Sequence, residues 1–411
     1  MSAGAQPLPD VTPLATSGPG QVVVVGAGPA GASLALLLGR QGVPVVLIEA
    51  SHSPARRFRG EALLPHGLAA LDAMGLLPLP ATIPQRPLAG WRFLFDGREL
   101  FRLAEPLEGP GCQGCRLIHQ PALLSSLIQQ VAALPSATVL QGQRVQALEW
   151  QEQRVSGVRL ADGRSLAARL VVAADGRSSQ LREQAALALR PQGEPFELLW
   201  FGLPQSGPSP LQGLFTTVVG PAGLVSLFDT ADGAVQLGWL RRDGEPDGGS
   251  RGWHAQLAAQ MPLDLAAWWG EQEGGLGRPT PLQVQVGQAE RWWQPGLLLL
   301  GDAAHPLSPV RAQGLNMALR DALVAAERLL ANPPSRPEAI DNACAAIETL
   351  RAGEVRRVQA LQRQELGRAE LLRQRPWLRQ LVAATAPWSG ALLARRWQAG
   401  QPTLRQGLPL P

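Results

Sequence analysis

A run of four valines, Val22–Val25, leads directly into Gly26-Ala-Gly28-Pro-Ala-Gly31, and this junction constrains the fold more than any other feature of the chain. Four consecutive β-branched residues suit a strand covered on both faces, as in a parallel sheet. The G-x-G-x-x-G spacing then requires a tight turn into a helix whose N-terminus can receive a pyrophosphate. An apolar helix runs to about Arg40, and a second β-rich run, 43–49, ends on Glu49. That carboxylate lies eighteen residues beyond Gly31, placed to bond a ribose 2′-hydroxyl. Strand, turn, helix, strand and acid in register predict a dinucleotide site on Gly26, Gly28, Ala30, Gly31 and Glu49. A carboxylate there disfavours a 2′-phosphate, so FAD or NAD(H) fits better than NADP(H).

The rest of the chain reads as an α/β protein with a Rossmann-like, doubly wound and mostly parallel sheet, a β-rich insertion and a helical C-terminus. At 411 residues it is long enough for two intimately joined parts. Residues 1–20 read as a disordered Pro/Gly/Ala leader. Segments 21–85, 110–190 and 286–345 form a discontinuous nucleotide-binding domain, 86–109 and 191–285 a β-rich substrate domain, and 346–411 a helical region. A hairpin turning at Asp96-Gly97 is expected over 89–104. A strand and helix follow over 116–134, then a meander over 145–175. Within 190–285, strands are expected at 214–219, 223–228 and 234–242, with helix over 250–275. Residues 297–302 return to the first sheet.

Composition removes several functions. All 37 basic residues are Arg, Tyr is absent, and the formal charge is only +4, with no like-charge block to form a nucleic-acid groove. No run reaches the roughly 18 apolar residues of a membrane span, and no signal peptide opens the chain, so a cytoplasmic protein is expected. The C-terminal arginines from Arg351 to Arg375 alternate with acids and read as a solvated face. Cys112 and Cys115 form a lone C-x-x-C that lacks further ligands and reads as a reduced bystander pair. His52, His66, His119 and His254 show no metal-ligand spacing, and no metal is expected.

Three separated motifs together resemble the FAD-dependent monooxygenases of the para-hydroxybenzoate hydroxylase type. They are GAGPAG with Glu49; ADGRSSQLR at 174–182, with Asp175, Gly176, Ser179 and Arg182; and GDAAHPLSPVRAQGLN at 301–316. Their order and spacing agree with the family over residues 21 to about 330. The resemblance implies that Asp302, after Gly301, accepts from a ribityl hydroxyl. It implies that backbone N–H groups around Gly314, Leu315 and Asn316 face the flavin N1/O2 edge, where a helix N-terminus stabilises anionic reduced flavin. It places Pro309 beside the ring, Asp175 in a motif serving FAD and nicotinamide, and Arg59 and Gln120 against FAD. His305 is a candidate general base, although in the family that position is mainly structural. Arg311-Ala312 departs from the family, which has Gly at position 312; Ala there stiffens the loop and implies altered flavin mobility.

The expected activity is a single-component monooxygenase. NAD(P)H reduces FAD, O2 forms a C4a-hydroperoxide, and one oxygen atom passes to an apolar or aromatic small molecule. A Tyr relay is excluded, since the chain has no Tyr. The alternatives are an FAD-linked reductase or dehydrogenase of an isoprenoid or lipid-like substrate, to which the R-G-E-x-L-x-P run at 59–65 points, and a non-enzymatic flavin module. A flavin-dependent halogenase is disfavoured by the absence of Lys. The pocket is expected between the flavin and the inserted sheet, among Trp91, Phe93, Trp200, Phe201, Phe215, Phe228 and Trp239. Arg92 and Arg241 are candidates for a substrate carboxylate. A monomer or homodimer is expected.

Overall fold

Val22–Val25 occupies the middle of a six-stranded sheet ordered 293–294, 297–299, 170–173, 22–25, 45–49 and 137–141. All pairings are parallel except that of 293–294 with 297–299. The computed structural model describes residues 20–53, 61–203, 208–241, 249–272, 279–331 and 336–409. The expected leader therefore lies almost wholly outside the described residues. Among these residues the helices are α1 (Pro29–Arg40), α2 (Pro65–Ala73), α3 (Gln120–Ala132), α4 (Gln180–Gln184), α5 (Gly249–Ala258), α6 (Leu263–Glu271), α7 (Gln313–Ala331), α8 (Pro337–Gln374), α9 (Pro376–Ala399) and α10 (Pro402–Gln406).

The four valines are explained by what covers them. Val22 and Val24 pack with Leu34 and Leu38 of α1, Leu127 of α3 and Leu319 of α7. Val23 and Val25 face the opposite core, with Val155 and Val158 of the 145–167 meander and Val355 of α8. Both faces are dry, so no polar alternation survives in the sequence.

The inserted sheet has seven strands, ordered 280–284, 196–203, 235–241, 223–229, 214–220, 90–95 and 98–104. The predicted hairpin turns at Asp96-Gly97, with both residues left-handed (φ 46° and 72°), as a two-residue turn of this kind requires. Phe201 and Trp239 point to one face, where α5 and α6 supply Leu257 and Trp269. Phe93, Trp200 and Phe228 share a core on the opposite side. Strand 196–203 was not among the three expected here. Its run Leu198-Leu199-Trp200-Phe201 is buried on both faces and carries no period of two. The expected helix over 250–275 is two helices, the second starting after Pro262.

Arg356, Arg357, Arg363, Arg368 and Arg375 are exposed, as the solvated-face reading expects, and Arg351 is the buried exception among the arginines from 351 to 375. Arg351 is fully buried, with its guanidinium 2.8 Å from Asp321 and against Glu354. Arg379 and Arg405 are buried as well, paired with Asp96 and with Glu105 and Glu108. At Arg351 the interleaved acid Glu354 marks an internal ion pair, while the rest of that face of α8 is solvated. Helix α9 lies against strand 98–104 through Gly390, where a Cβ would come within 2.4 Å of the Leu100 carbonyl oxygen.

Candidate active site

A cavity of about 1180 Å³ lies between the two sheets and is closed on a third side by α8 and α9. One end is built of backbone and polar groups, the other of apolar side chains. Gly26, Gly28, Ala30, Gln120, Asp175, Gly301, Asp302, Pro309, Gly314 and Leu315 all line it. Residues separated by nearly three hundred positions are brought together because their strands are neighbours in the parallel sheet.

The glycines divide into two kinds. Gly26 has φ +102°, and a Cβ there would lie 2.3 Å from the Ala174 carbonyl oxygen; one on Gly31 would lie 2.0 Å from the Gly26 carbonyl oxygen. These two serve the tight turn and the close contact of α1 with the sheet. A Cβ on Gly28 or Gly314 would meet nothing within 4 Å, so the missing side chains leave open cavity. Glu49 is buried and stands behind the turn. It accepts from the backbone N–H of Ala27 at 2.8 Å and of Ser51 at 2.9 Å, so it also fixes the glycine loop.

Asp175 accepts from the Ser179 hydroxyl at 2.6 Å and the Leu181 N–H at 3.3 Å. Burial raises its carboxyl above the usual range, against the lowering effect of those bonds. Arg182 donates to the Ala303 carbonyl oxygen at 2.9 Å, tying this segment to the one that carries Asp302. Asp302 meets Arg177 at 3.3 Å. Buried Nη1 of Arg177 and Oε1 of Gln120 have no hydrogen-bond partner among the described residues, and both residues line the cavity. One offers a donor, the other an acceptor. A phosphate- and hydroxyl-bearing ligand such as FAD fits them, together with the space above Gly28 and Gly314. Arg59 lies outside the described residues.

The turn from Pro309 to Asn316 is more strained than the sequence reading held. Arg311 and Ala312 are both left-handed, at φ 64° and 49°. Ala312 therefore keeps the backbone a glycine would choose, and does so against its own Cβ. The Arg311 guanidinium packs on the rings of Trp397 (4.5 Å to centroid), Phe93 (5.1 Å) and Trp91 (5.4 Å), with its Nε 2.7 Å from Glu365. Helix α7 begins immediately after, so the N–H groups of its first turn lack intrahelical acceptors at the cavity edge. The Asn316 side chain is turned away from the cavity. It accepts from the Leu64 N–H at 2.9 Å and donates to the carbonyl oxygens of Ala62 (2.9 Å) and Ala312 (2.7 Å), bracing the turn.

His305 is not placed as a general base. It is buried against Trp292, with Nε2 2.7 Å from Asp321, and does not line the cavity. Arg92 pairs with Glu99 and Arg241 packs on Trp239, and neither lines the cavity. Of the aromatics, Phe93, Trp200, Phe215 and Phe228 line it, while Phe201 and Trp239 belong to the far face. Cys115 is buried 3.1 Å from Arg405 and its thiol is pushed up by burial, whereas Cys112 is exposed. Nothing here activates the C-x-x-C.

Two contributions escaped sequence reasoning. Leu366 and Leu372 of α8 and Leu393 and Trp397 of α9 complete the apolar wall, and the exposed Arg368 and Arg396 border it. Glu61 lines the same cavity, buried, with one oxygen accepting from the Ala231 N–H at 3.0 Å. Burial pushes its carboxyl up to about 7, helped by Asp232 and opposed by the Ala231 bond and by Arg86. Among the described residues no cation pairs with it. The R-G-E-x-L-x-P run at 59–65 was the signal that could have found it.

The FAD binding domain family matches residues 20–213 and 269–338. Over 399 residues the chain is 34% identical to 6-methylpretetramide 4-monooxygenase of Streptomyces rimosus, covering 93% of each. It is 31% identical over 319 residues to the ubiquinone hydroxylase UbiL of Rhodospirillum rubrum, covering 75% of this chain and 72% of that one. Among solved structures, PqsL of P. aeruginosa in complex with 2-aminobenzoylacetate superposes with a TM-score of 0.74 at 23% identity, over 89% of this chain and 98% of that one. The p-nitrophenol 4-monooxygenase PnpA of Pseudomonas putida superposes with a TM-score of 0.73 at 20% identity, over 94% and 98%. These two likenesses concern the fold.

Proposed function

Because this chain belongs to the FAD-dependent monooxygenases of the para-hydroxybenzoate hydroxylase type, we propose that it is a single-component, NAD(P)H-dependent member that inserts one oxygen atom into an apolar or aromatic small molecule. The observation that carries this reading is the two-ended cavity, polar over the glycine turns and apolar against the inserted sheet. Similar enzymes are named as a 6-methylpretetramide monooxygenase and a ubiquinone hydroxylase, which supports an organic substrate of some size. Bound FAD supplies the redox chemistry, taking a hydride from NAD(P)H and delivering one atom of O2.

The protein's part is to hold, orient and exclude water. We assign the FAD to the discontinuous domain of residues 21–85, 110–190 and 286–345, and the substrate to the sheet of 86–109 and 191–285. Asp302 accepts from a ribityl hydroxyl, Glu49 from the adenosine ribose, and Gln120 and Arg59 reach the cofactor. Asp175 orders its own loop. The first N–H groups of α7, from Gly314 to Asn316, carry the partial positive charge of a helix N-terminus toward the flavin edge. Pro309 shapes the face that meets oxygen. The apolar wall from α8 and α9 keeps water from the reacting centre. We take the protein to be a cytoplasmic monomer or homodimer; no described helix is long and apolar enough to cross a membrane.

The test is isotopic. With substrate, NAD(P)H and O2 should disappear in equal amounts, and heavy O2 should label the product. Without substrate, oxidation should be slow and release hydrogen peroxide. Turnover that proceeds equally well without O2, on another acceptor, would establish the reductase or dehydrogenase instead.

A further inference from the structure

Helix α9 has two apolar sides. Leu393 and Trp397 line the cavity, and Gly390 sits against strand 98–104. On the outside, Trp377 (63% exposed), Leu381 (52%), Trp388 (82%) and Leu392 (59%) stand in a row, spaced four, seven and four residues apart. That spacing keeps all four on one side of a helix. Large side chains this exposed on one stripe mark a surface that meets something other than water.

Charge identifies the occupant. No Asp or Glu follows Glu370, so α9 and its flanks carry only arginine. Arg375 at one end and Arg395 and Arg396 at the other are exposed. An apolar stripe with tryptophans, bounded by arginines and free of acids, has the chemistry of a helix lying in a lipid headgroup layer. A protein partner would need its own acids at two separated ends of the stripe. An anionic lipid surface provides them everywhere.

We propose that the outer face of α9 docks this protein peripherally on anionic membranes, with Trp377 and Trp388 at headgroup depth. The same helix then stands between the bilayer and the cavity. Docking itself does not depend on the reaction proposed above.

Flotation of the FAD-loaded protein with vesicles tests this, using phosphatidylcholine alone or with about one-third phosphatidylglycerol. Binding is expected only to the anionic vesicles and is expected to fall with added salt, since each exposed arginine adds about fivefold at such a surface. The variant W377S/W388S should keep its flavin and thermal midpoint, because both side chains are outside the core. It should lose at least about tenfold in vesicle affinity. No flotation of the parent protein would overturn the proposal, as would equal flotation of the variant. So would a dimer in light scattering that dissolves in the variant, which would make the stripe a contact between copies.

Discussion

Asp302 and Glu49 are the two carboxylates on which cofactor retention should most depend. Asp302→Ala is expected to weaken FAD binding by about 1.5–3 kcal/mol, a loss of roughly ten- to a hundredfold. Glu49→Ala should act similarly and also release the Ala27 N–H it now holds. Flavin fluorescence on dilution measures both; parent-like retention in the pair would overturn their placement. Glu61 makes a different prediction. Its folded carboxyl titrates at about 7 against an ordinary 4.5, so across that window the folded chain binds the proton more tightly. Stability should therefore fall as pH rises from 4.5 to 7. Glu61→Gln should remove this loss and stabilise the protein by about 1–3 kcal/mol at about pH 8. Denaturant unfolding at acid and alkaline pH checks it, and an unchanged pH dependence in the variant would refute the assignment. That the motif residues gather at one cavity was legible because their placement rests on backbone shape and spacing, which sequence records. Burial of Glu61 was not, because it depends on Ala231, 170 residues away.

The Pro309–Asn316 turn and α9 show what elements conceal. Ala312→Gly should relieve a left-handed Cβ and raise stability by about 0.5–1 kcal/mol, read as a higher thermal midpoint. A drop would mean that loop order matters more than strain. Gly390→Val should force α9 away from Leu100, costing about 1–3 kcal/mol and exposing the apolar end of the cavity to a hydrophobic dye. The opening strand–turn–helix was readable because local pattern and tertiary demand coincide there. Strand 196–203 was obscured because burial on both faces erases alternation. The role of α9 was hidden for a related reason: both of its sides are apolar, so no hydrophobic face singled itself out.

Across the whole molecule, His305, Asp321, Arg351, Glu354 and Arg320 form one buried ionic chain joining the loop after the parallel sheet to α7 and α8. Burial alone would raise the Asp321 carboxyl, but His305 and Arg351 outweigh it and hold it at about 2. Its contribution is present above the ordinary carboxylate range and lost as pH falls toward 2. Asp321→Asn should cost about 3–5 kcal/mol by leaving Arg351 short of its counter-charge. Flavin release and helix loss should then coincide at a lower temperature; a parent-like midpoint would contradict the network. Such long-range pairings leave no trace in local pattern, which is why Arg351 could not be told from the exposed arginines of α8.

The placement of α8 and α9 also fixes an order of events. A ribosome delivers the valine strand, the glycine turns, Asp302 and the inserted sheet before the helices that wall the cavity. The strands and glycine turns of the FAD cradle are therefore made before the cavity has its third side. The last helices then complete the wall, so chain order sets the polar floor of the cavity first and its apolar side last.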